Sequence, residues 1–570
     1  MMKISFLIEI PASGQKQTLT DLFTETPDFN IKIIGDEYRF FAWGDPICND
    51  TFFDELPAKR SPGFIAESIS GHYYYLLIDH QTGETVIGTS LFSILPVYYC
   101  KKDGKVFLSD NVFTLARHTG LNTPSPRFVI ESLLFNYPLF NHSLVDGISL
   151  LDSNSVLVTG GAGIRVVKHT EVDSWFSRNP EPWKRSMGKI TDIFLSNVEK
   201  YLPEEHYLTA LTGGFDGRTL TAAGLYHKRN ITCFCFGSDL SGDLGFATDI
   251  SSKAGIPFRP VLLDGKYVNN FSLEAGRNFI LNTSGCGTFA RAHYIYSAEL
   301  LSRLATCLVS GNFGSEIFRT AHTSGVMIAP ELYRVFTSDD PDKAMELVKE
   351  NPVLKLMNQD MVYGELNGLK EDILRLPCFN SHYDYLDRNM QFYIFVFEEV
   401  FRKYFGSEIM AQWKSVITRT PFLDRTFLME LLSTGLAGIH AGFMEKNPLR
   451  RFKGQVLYAS VIRKAAPHLG RFVTDKGYSP DDLLSLSGKL RITGIYLRKR
   501  KLNTASLSDP MAVREAWSVN RGFFESLPLS GSVFNESEIA RLRSALFTNE
   551  KARLYSLIFA LNNIPQAKTS

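Results

Sequence analysis

Tyr207-Leu-Thr-Ala-Leu-Thr-Gly-Gly-Phe-Asp-Gly-Arg-Thr-Leu-Thr-Ala-Ala-Gly-Leu225 decides how this chain is read. Leu208 to Leu211 are apolar and strand-like, Gly213 and Gly214 permit positive φ and close backbone approach, and Thr219 to Leu225 resume with helix-forming residues. A strand passing through a glycine turn into a helix offers backbone N–H groups that have no partner inside the helix and sit at the positive end of its dipole. Such a turn suits an anionic phosphate. A carboxylate in that place repels phosphate unless a cation lies between them, so Asp216 implies Mg²⁺ shared with a polyphosphate. The spacing is neither the Gly-Lys-Ser/Thr of the P-loop nor the glycine pattern of the dinucleotide fingerprint. An ordinary strand–turn–helix connection in an α/β domain has the same outline.

Upstream of this stretch, Ile190, Ile193, Phe194 and Val198 fall on one helical face; downstream, Ile231 to Phe236, ended by Gly237, and Phe258 to Leu263 read as further strands. Strands alternating with helices predict a parallel sheet whose ligand crevice lies outside the carboxyl ends of the strands. Asp239 and Asp243, just after the second strand, read as solvated loop residues. A second strand–turn–helix follows at Cys307-Leu-Val-Ser-Gly-Asn-Phe-Gly-Ser-Glu-Ile-Phe-Arg319. The chain up to about Lys168 is β-rich. Tyr73 to Ile78, Thr85 to Gly88, Val97 to Cys100 and Lys105 to Leu108 are short β-branched or aromatic runs, parted by Thr82-Gly83 and Asp103-Gly104 turns that predict hairpins. Ser-Arg-Asn-Pro-Glu-Pro between Trp175 and Trp183 breaks any period and places a boundary between domains 1–175 and 184–570. Near the C-terminus Ile539, Leu542 and Leu546 have helical spacing and close the fold, and Leu497 to Lys501 reads as a solvated helix face.

Composition narrows the function. A chain of 570 residues with 44% hydrophobic content buries large cores, and its formal charge of +1 argues against nucleic acid or an anionic membrane as an obligatory partner. No apolar run reaches the roughly 18 residues of a membrane span, and Ile4 to Ile10 is too short for a signal peptide, so a cytoplasmic protein is expected. The seven cysteines include no C-x-x-C pair, which speaks against a disulfide framework and a structural zinc; Cys233 and Cys235 read as core. The histidines include no H-E-x-x-H, so metal-dependent hydrolysis has no support.

Thr212-Gly-Gly-Phe-Asp-Gly-Arg218 resembles the Ser-Gly-Gly-x-Asp-Ser pyrophosphate loop of the asparagine synthetase family, whose members cleave ATP between the α- and β-phosphates. Gly217 stands where the family has its second serine. Gly71 to Asp79, Ile94 to Tyr99 and Val106 to Asp110 are similar in order and spacing to that family's N-terminal glutaminase domain, an N-terminal-nucleophile sandwich of two antiparallel sheets between helices. Here the chain begins Met1-Met2-Lys3, the first cysteine is Cys48, and Thr89 and Ser90 replace an arginine-aspartate pair, so the resemblance implies a vestigial domain kept as scaffold. The β-lactam-forming and lasso-peptide-cyclising relatives set the same precedent. Gly311, Glu316 and Phe318 match the family's second motif, Gly-Glu-Gly-x-Asp-Glu-hydrophobic-Phe, although Ser315 replaces its metal-binding aspartate and Asn312 its residue near the amine. Arg419-Thr-Pro-Phe-Leu-Asp424 is similar to the Arg-x-Pro-Phe-Leu-Asp segment, and Arg463 to Pro480 resembles the stretch that ends in Lys-Gly-aromatic, with Lys476 as its lysine.

The resemblance implies an α+β / α/β two-domain protein, the second domain being an ATP-pyrophosphatase α/β synthetase domain with a helical C-terminal part. It implies ATP and Mg²⁺ as cofactors. Nucleotide contacts fall on Leu211, Thr212, Gly213, Gly214, Asp216, Gly217, Arg218, Gly237, Ser310 and Gly311, with adenine beside Leu211 first and then Phe236 and Gly237, metal contacts on Asp216 and Glu316, and catalytic roles on Lys476 and Glu316. The expected reaction is adenylation of a small-molecule or peptide carboxylate, then amide formation with an amine that the N-terminal domain does not supply. A homodimer or a pathway partner is compatible with this. The departures at Gly217, Asn312 and Ser315 keep a second reading open, a pseudoenzyme that retains the fold as a nucleotide-binding or assembly protein.

Overall fold

Two antiparallel sheets account for the first part of the computed structural model, which describes residues 3–11, 22–160, 163–271, 274–319, 328–501, 509–543 and 546–566. Their strands, in chain order, are β1 (Leu7–Pro11), β2 (Phe23–Glu25), β3 (Phe29–Ile34), β4 (Tyr38–Gly44), β5 (Ile47–Cys48), β6 (Ile69–Ser70), β7 (Tyr73–Asp79), β8 (Glu84–Thr89), β9 (Tyr98–Lys102), β10 (Lys105–Ser109), β11 (Ser149–Leu150), β12 (Ser155–Gly160) and β13 (Gly163–Lys168). One sheet runs β11-β9-β10-β1-β2, the other β13-β12-β8-β7-β4-β3, and β5 pairs with β6 alone. The hairpins form where the turn residues predict them: Gly83 has φ 70°, and Asp103 and Gly104 have φ 49° and 70°. Phe6 of the first sheet meets Trp43 and Tyr74 of the second edge-on at 5.2 and 5.0 Å, and the Trp43 indole donates to the Ile4 carbonyl at 3.1 Å. Outward-facing Phe40, Tyr73, Tyr75 and Val156 are covered by Phe52, Leu56 and Ile65, so the inner strands of the six-stranded sheet are buried on both faces while its edge strands β3 and β13 are partly exposed.

The second sheet system is parallel throughout. β14 (Tyr207–Ala210), β15 (Ile231–Gly237), β16 (Phe258–Leu262), β17 (Cys307–Val309) and β18 (Ile417–Arg419) lie in the order β16-β15-β14-β17-β18. The order reverses at β14, and both glycine turns leave the carboxyl ends of neighbouring strands, β14 and β17. A switch point of this kind opens a crevice. Together the two sheet systems and their many helices make a two-domain α/β architecture.

A helical region joins them. The π-helix Val396–Phe405 carries Glu399, Arg402 and Lys403 into the boundary, where Arg402 donates to the Leu151 and Phe140 carbonyls and Lys403 to those of Pro138 and Phe140. Asp45 accepts both Nε and Nη2 of Arg419 at 2.7 and 2.9 Å. Towards the C-terminus the helix Glu536–Arg543 buries Ile539 and half-buries Leu542 but ends before Leu546, which is 89% exposed. The fold is closed instead by the buried helix Asn549–Asn562. Leu497 is exposed on the helix Leu486–Lys501, while the side chains of Lys499, Arg500 and Lys501 lie outside the described residues, as does the backbone of Met1 and Met2. No helix among the described residues is long and apolar enough to cross a membrane.

Candidate functional site

Leu211 follows the last residue of β14, its N–H donates to the Phe234 carbonyl at 2.8 Å, and the chain then turns through Thr212 to Phe215 into the helix Asp216–Tyr226. That helix lies so close to the strand that a Cβ on Gly217 would stand 2.1 Å from the Ala210 carbonyl oxygen. Glycine replaces the motif's serine because there is no room for a side chain. Two of the turn's N–H groups are engaged within the chain: Gly213 donates to Asp243 Oδ1 at 3.0 Å and Gly214 to Thr212 Oγ1 at 3.2 Å. Asp243 is therefore part of the turn and not a solvated loop residue, whereas Asp239 is exposed. Burial, opposed by the Gly213 N–H and reinforced by Asp475, lifts the Asp243 carboxyl above its ordinary value.

The Lys476 loop docks on the same turn. Asp475 N–H donates to Gly213 at 3.2 Å, Gly477 turns the chain at φ 89°, and the Lys476 ammonium lies 5.3 Å from the centre of the Phe215 ring. Arg218 holds that loop in place: its guanidinium donates to the carbonyls of Phe472 at 2.6 Å and Val473 at 3.3 Å. It is fully buried, and desolvation lowers its pKa to about 10. The side chain expected to contact nucleotide is thus spent on positioning, and only the Arg218 backbone can face a phosphate.

The second turn packs directly against Asp216. A Cβ on Gly311 would lie 2.9 Å from the Asp216 Cβ, and one on Gly314 would lie 2.6 Å from the Tyr458 hydroxyl and 2.7 Å from Asp216 Oδ1. Asp216 accepts hydrogen bonds from Ser315 Oγ at 2.8 Å and from Tyr458, and Ser315 Oγ in turn accepts from Arg319 at 2.5 Å. Burial, then Asp216, holds the Tyr458 phenol protonated. Burial works against the Arg319 charge, but Asp216, Tyr458 and Glu316 outweigh it and raise its pKa. Burial, followed by the Asp216 charge, lifts the Glu316 carboxyl to about 7. Within this second turn Phe313 takes φ 73°, a left-handed conformation that costs a non-glycine residue on the order of 1–3 kcal/mol, and it is held there by ring contacts with Phe401 at 4.7 Å and Phe405 at 5.2 Å. Asn312 donates to Glu408 Oε2 at 2.6 Å, and Glu408 also pairs with Arg291. Ser310 is buried, donates its hydroxyl to Asn312 and its N–H to the Arg419 carbonyl.

The expected residues thus divide. Asp216, Glu316, Gly213, Gly214, Gly217, Gly311 and Lys476 meet beyond the carboxyl ends of the neighbouring strands β14 and β17. Gly237 sits at the end of β15, where Ser238 N–H donates to the Pro510 carbonyl at 2.7 Å and Ser238 Oγ to Asp509 at 2.8 Å, so the chain itself covers that strand end. Arg419 faces Asp45, and Asp424 accepts from Phe427 N–H at 2.9 Å and pairs with Lys200 at 2.6 Å, which makes this segment a brace. Tyr458, Arg319, Asp243 and Glu408 had no local signal in the sequence. With two hydroxyls on Asp216 and an arginine beside both acids, the donor set suits a cation carried on a substrate phosphate better than one held by protein groups alone.

No protein-family model matches the chain, and no curated protein matches it. Among solved structures, glutamine phosphoribosylpyrophosphate amidotransferase from B. subtilis, complexed with ADP and GMP, aligns at 9% identity and a TM-score of 0.18 over 47% of this chain. The alignment spans 61% of that protein's length.

Proposed function

We propose that this chain activates a carboxylate with ATP as its adenylate and joins it to an amine, as the asparagine synthetase family that its motifs resemble does. The observation that carries this reading is the meeting of the two glycine turns with the Lys476 loop: Asp475 is bonded to Gly213, and Gly311 and Gly314 lie against Asp216. ATP enters with its own Mg²⁺ as the substrate complex, and the helix start after Phe215 faces its phosphates. Lys476, fixed over Phe215, is placed to meet the negative charge that develops on the acyl and leaving phosphate oxygens. Asn312 cannot take a proton from the amine, and Glu316, with a pKa of about 7, is the group poised to do so near neutrality. Half-buried Cys48 has its thiol pushed up to about 11 by desolvation, a poor nucleophile near neutrality, and in this reading the amine is not supplied by the N-terminal domain.

Incubation with ATP, Mg²⁺ and a pool of carboxylates should yield AMP and pyrophosphate, and labelled pyrophosphate should exchange into ATP without an amine. Lys476→Ala should slow amide formation by about 10²–10³ while leaving ATP affinity nearly unchanged. Formation of ADP in place of AMP would exclude the mechanism. A second reading, a pseudoenzyme that keeps the fold as a nucleotide-binding or assembly protein, is favoured by three contacts that fill groups a nucleotide would use: Asp243 on Gly213, Pro510 on Ser238, and Tyr458 on Asp216. It requires that no pool supports exchange and that Lys476→Ala has no effect.

A further inference from the structure

A second constellation of ionisable groups lies outside the glycine turns. The helix Pro126–Phe135 supplies Glu131, the helix Gln359–Arg375 supplies Asp372, and His142 comes from the segment after the first helix. One donor atom from each lies within 4.8 Å of the other two. His142 Nε2 is 2.9 Å from Asp372 Oδ2 and 3.8 Å from Glu131 Oε1. Glu131 is completely buried; its Oε2 accepts the Leu139 N–H at 2.8 Å, but no N–H or O–H among the described residues donates to Oε1, whose other neighbour is the Asp372 carboxyl with which it can share only a proton or a cation. A buried carboxylate oxygen without a donor is costly, so this atom calls for a proton or a cation. Burial, then the charge of Asp372, raises the Glu131 pKa well above the ordinary range.

We propose that Glu131 Oε1, His142 Nε2 and Asp372 Oδ2 hold a first-row divalent cation, with zinc the best match to one imidazole and two carboxylates. Zinc bonds of about 2.0–2.2 Å place tetrahedral ligand atoms roughly 3.3–3.5 Å apart, and the separations of 2.9 and 3.8 Å bracket that value. The His142 side chain is 27% exposed against 0% for Glu131 and 6% for Asp372, so entry is from the imidazole side, and water would complete the ligand set. Arg127 Nη1, 2.8 Å from Asp372 Oδ2, becomes the outer partner that orients the carboxylate. The cation would take the place beside Glu131 Oε1 that a proton otherwise fills. Its structural effect is to tie the first helix to Gln359–Arg375.

Chelator-treated, desalted protein dialysed against Zn²⁺ tests this. Wild type should take up one zinc more per chain than His142→Ala or Glu131→Gln, with affinity falling by more than about 100-fold in either variant, and zinc should raise the melting temperature of wild type alone. Glu131→Gln keeps an acceptor for Leu139, and if it fails to fold, the partly exposed His142→Ala decides the matter. Equal zinc uptake by wild type and His142→Ala, or none by wild type, overturns the proposal and leaves a proton shared between the two carboxyls.

Discussion

At the residue scale Glu316 is the group whose titration reports on the site. Its folded pKa of about 7 exceeds the ordinary 4.5, so the native chain binds this proton more tightly than the unfolded chain does. Stability from this group is then full below pH 4.5 and declines as pH rises towards 7, where the buried charge must be carried beside Asp216. Glu316→Gln should flatten that decline and raise stability at pH 8 by on the order of 1–3 kcal/mol, seen as a higher melting temperature than wild type at that pH. If Glu316 also accepts the amine proton, the amide-forming rate of wild type rises through pH 7 and that of the variant does not. A variant with the wild-type pH dependence of both melting and rate would remove Glu316 from the site. The same scale shows why Ser315 is tolerable where a carboxylate is expected: it passes a hydrogen bond from Arg319 to Asp216, so a protein cation partly neutralises the acid.

At the scale of elements, the first glycine turn is set by how closely the helix Asp216–Tyr226 approaches β14. Gly217→Ser restores the residue of the resembling motif, yet its Cβ would meet backbone oxygen at 2.1 Å, and the helix start would have to move. Chemical denaturation should show a loss of about 1–3 kcal/mol and no gain in ATP affinity. A stable variant with tighter ATP binding would show that the departure at Gly217 is a loss of phosphate grip and not a packing requirement. The second turn has the opposite solution. Phe313 accepts left-handed backbone because its ring is buried against Phe401 and Phe405 of the π-helix, so packing offsets local strain.

For the whole molecule, the Asp45–Arg419 pair joins the antiparallel sheets to the edge strand of the parallel sheet, where Arg419 also reaches the Tyr201 carbonyl at 3.3 Å. Asp45 is only 7% exposed, so removing its partner strands a buried charge. Arg419→Met should therefore cost roughly 3–5 kcal/mol, and the double variant with Asp45→Ala should cost clearly less than the two single losses combined. Additive losses in urea melts would mean that the pair does not couple the two sheet systems. Because Ser310 N–H is bonded to the Arg419 carbonyl, the same variants should also loosen the second turn, read as faster amide exchange there.

What adjacent residues determine was legible in the sequence. The hairpin turns at Gly83 and Asp103-Gly104, the alternation of strand and helix after Trp183, and the two glycine turns follow from backbone demands met within a few residues. The meeting of Asp216, Glu316 and Lys476 was expected only through the order of resembling motifs, since nothing near each residue encodes where the others lie. Tertiary structure alone decided the rest. Tyr458 reaches Asp216 across 242 positions, Glu408 reaches Asn312 across 96, and Asp243 takes the Gly213 N–H, none with a periodic or turn signature. Arg218 and Leu546 show the converse. Their residue types suggested a phosphate contact and a core position, but a guanidinium goes to whichever acceptors packing leaves beside it, and a leucine past a helix end is buried only if another element covers it. Local geometry is written in neighbouring residues because backbone sterics act over that distance, whereas the partners of a buried polar group are fixed only when distant elements pack together.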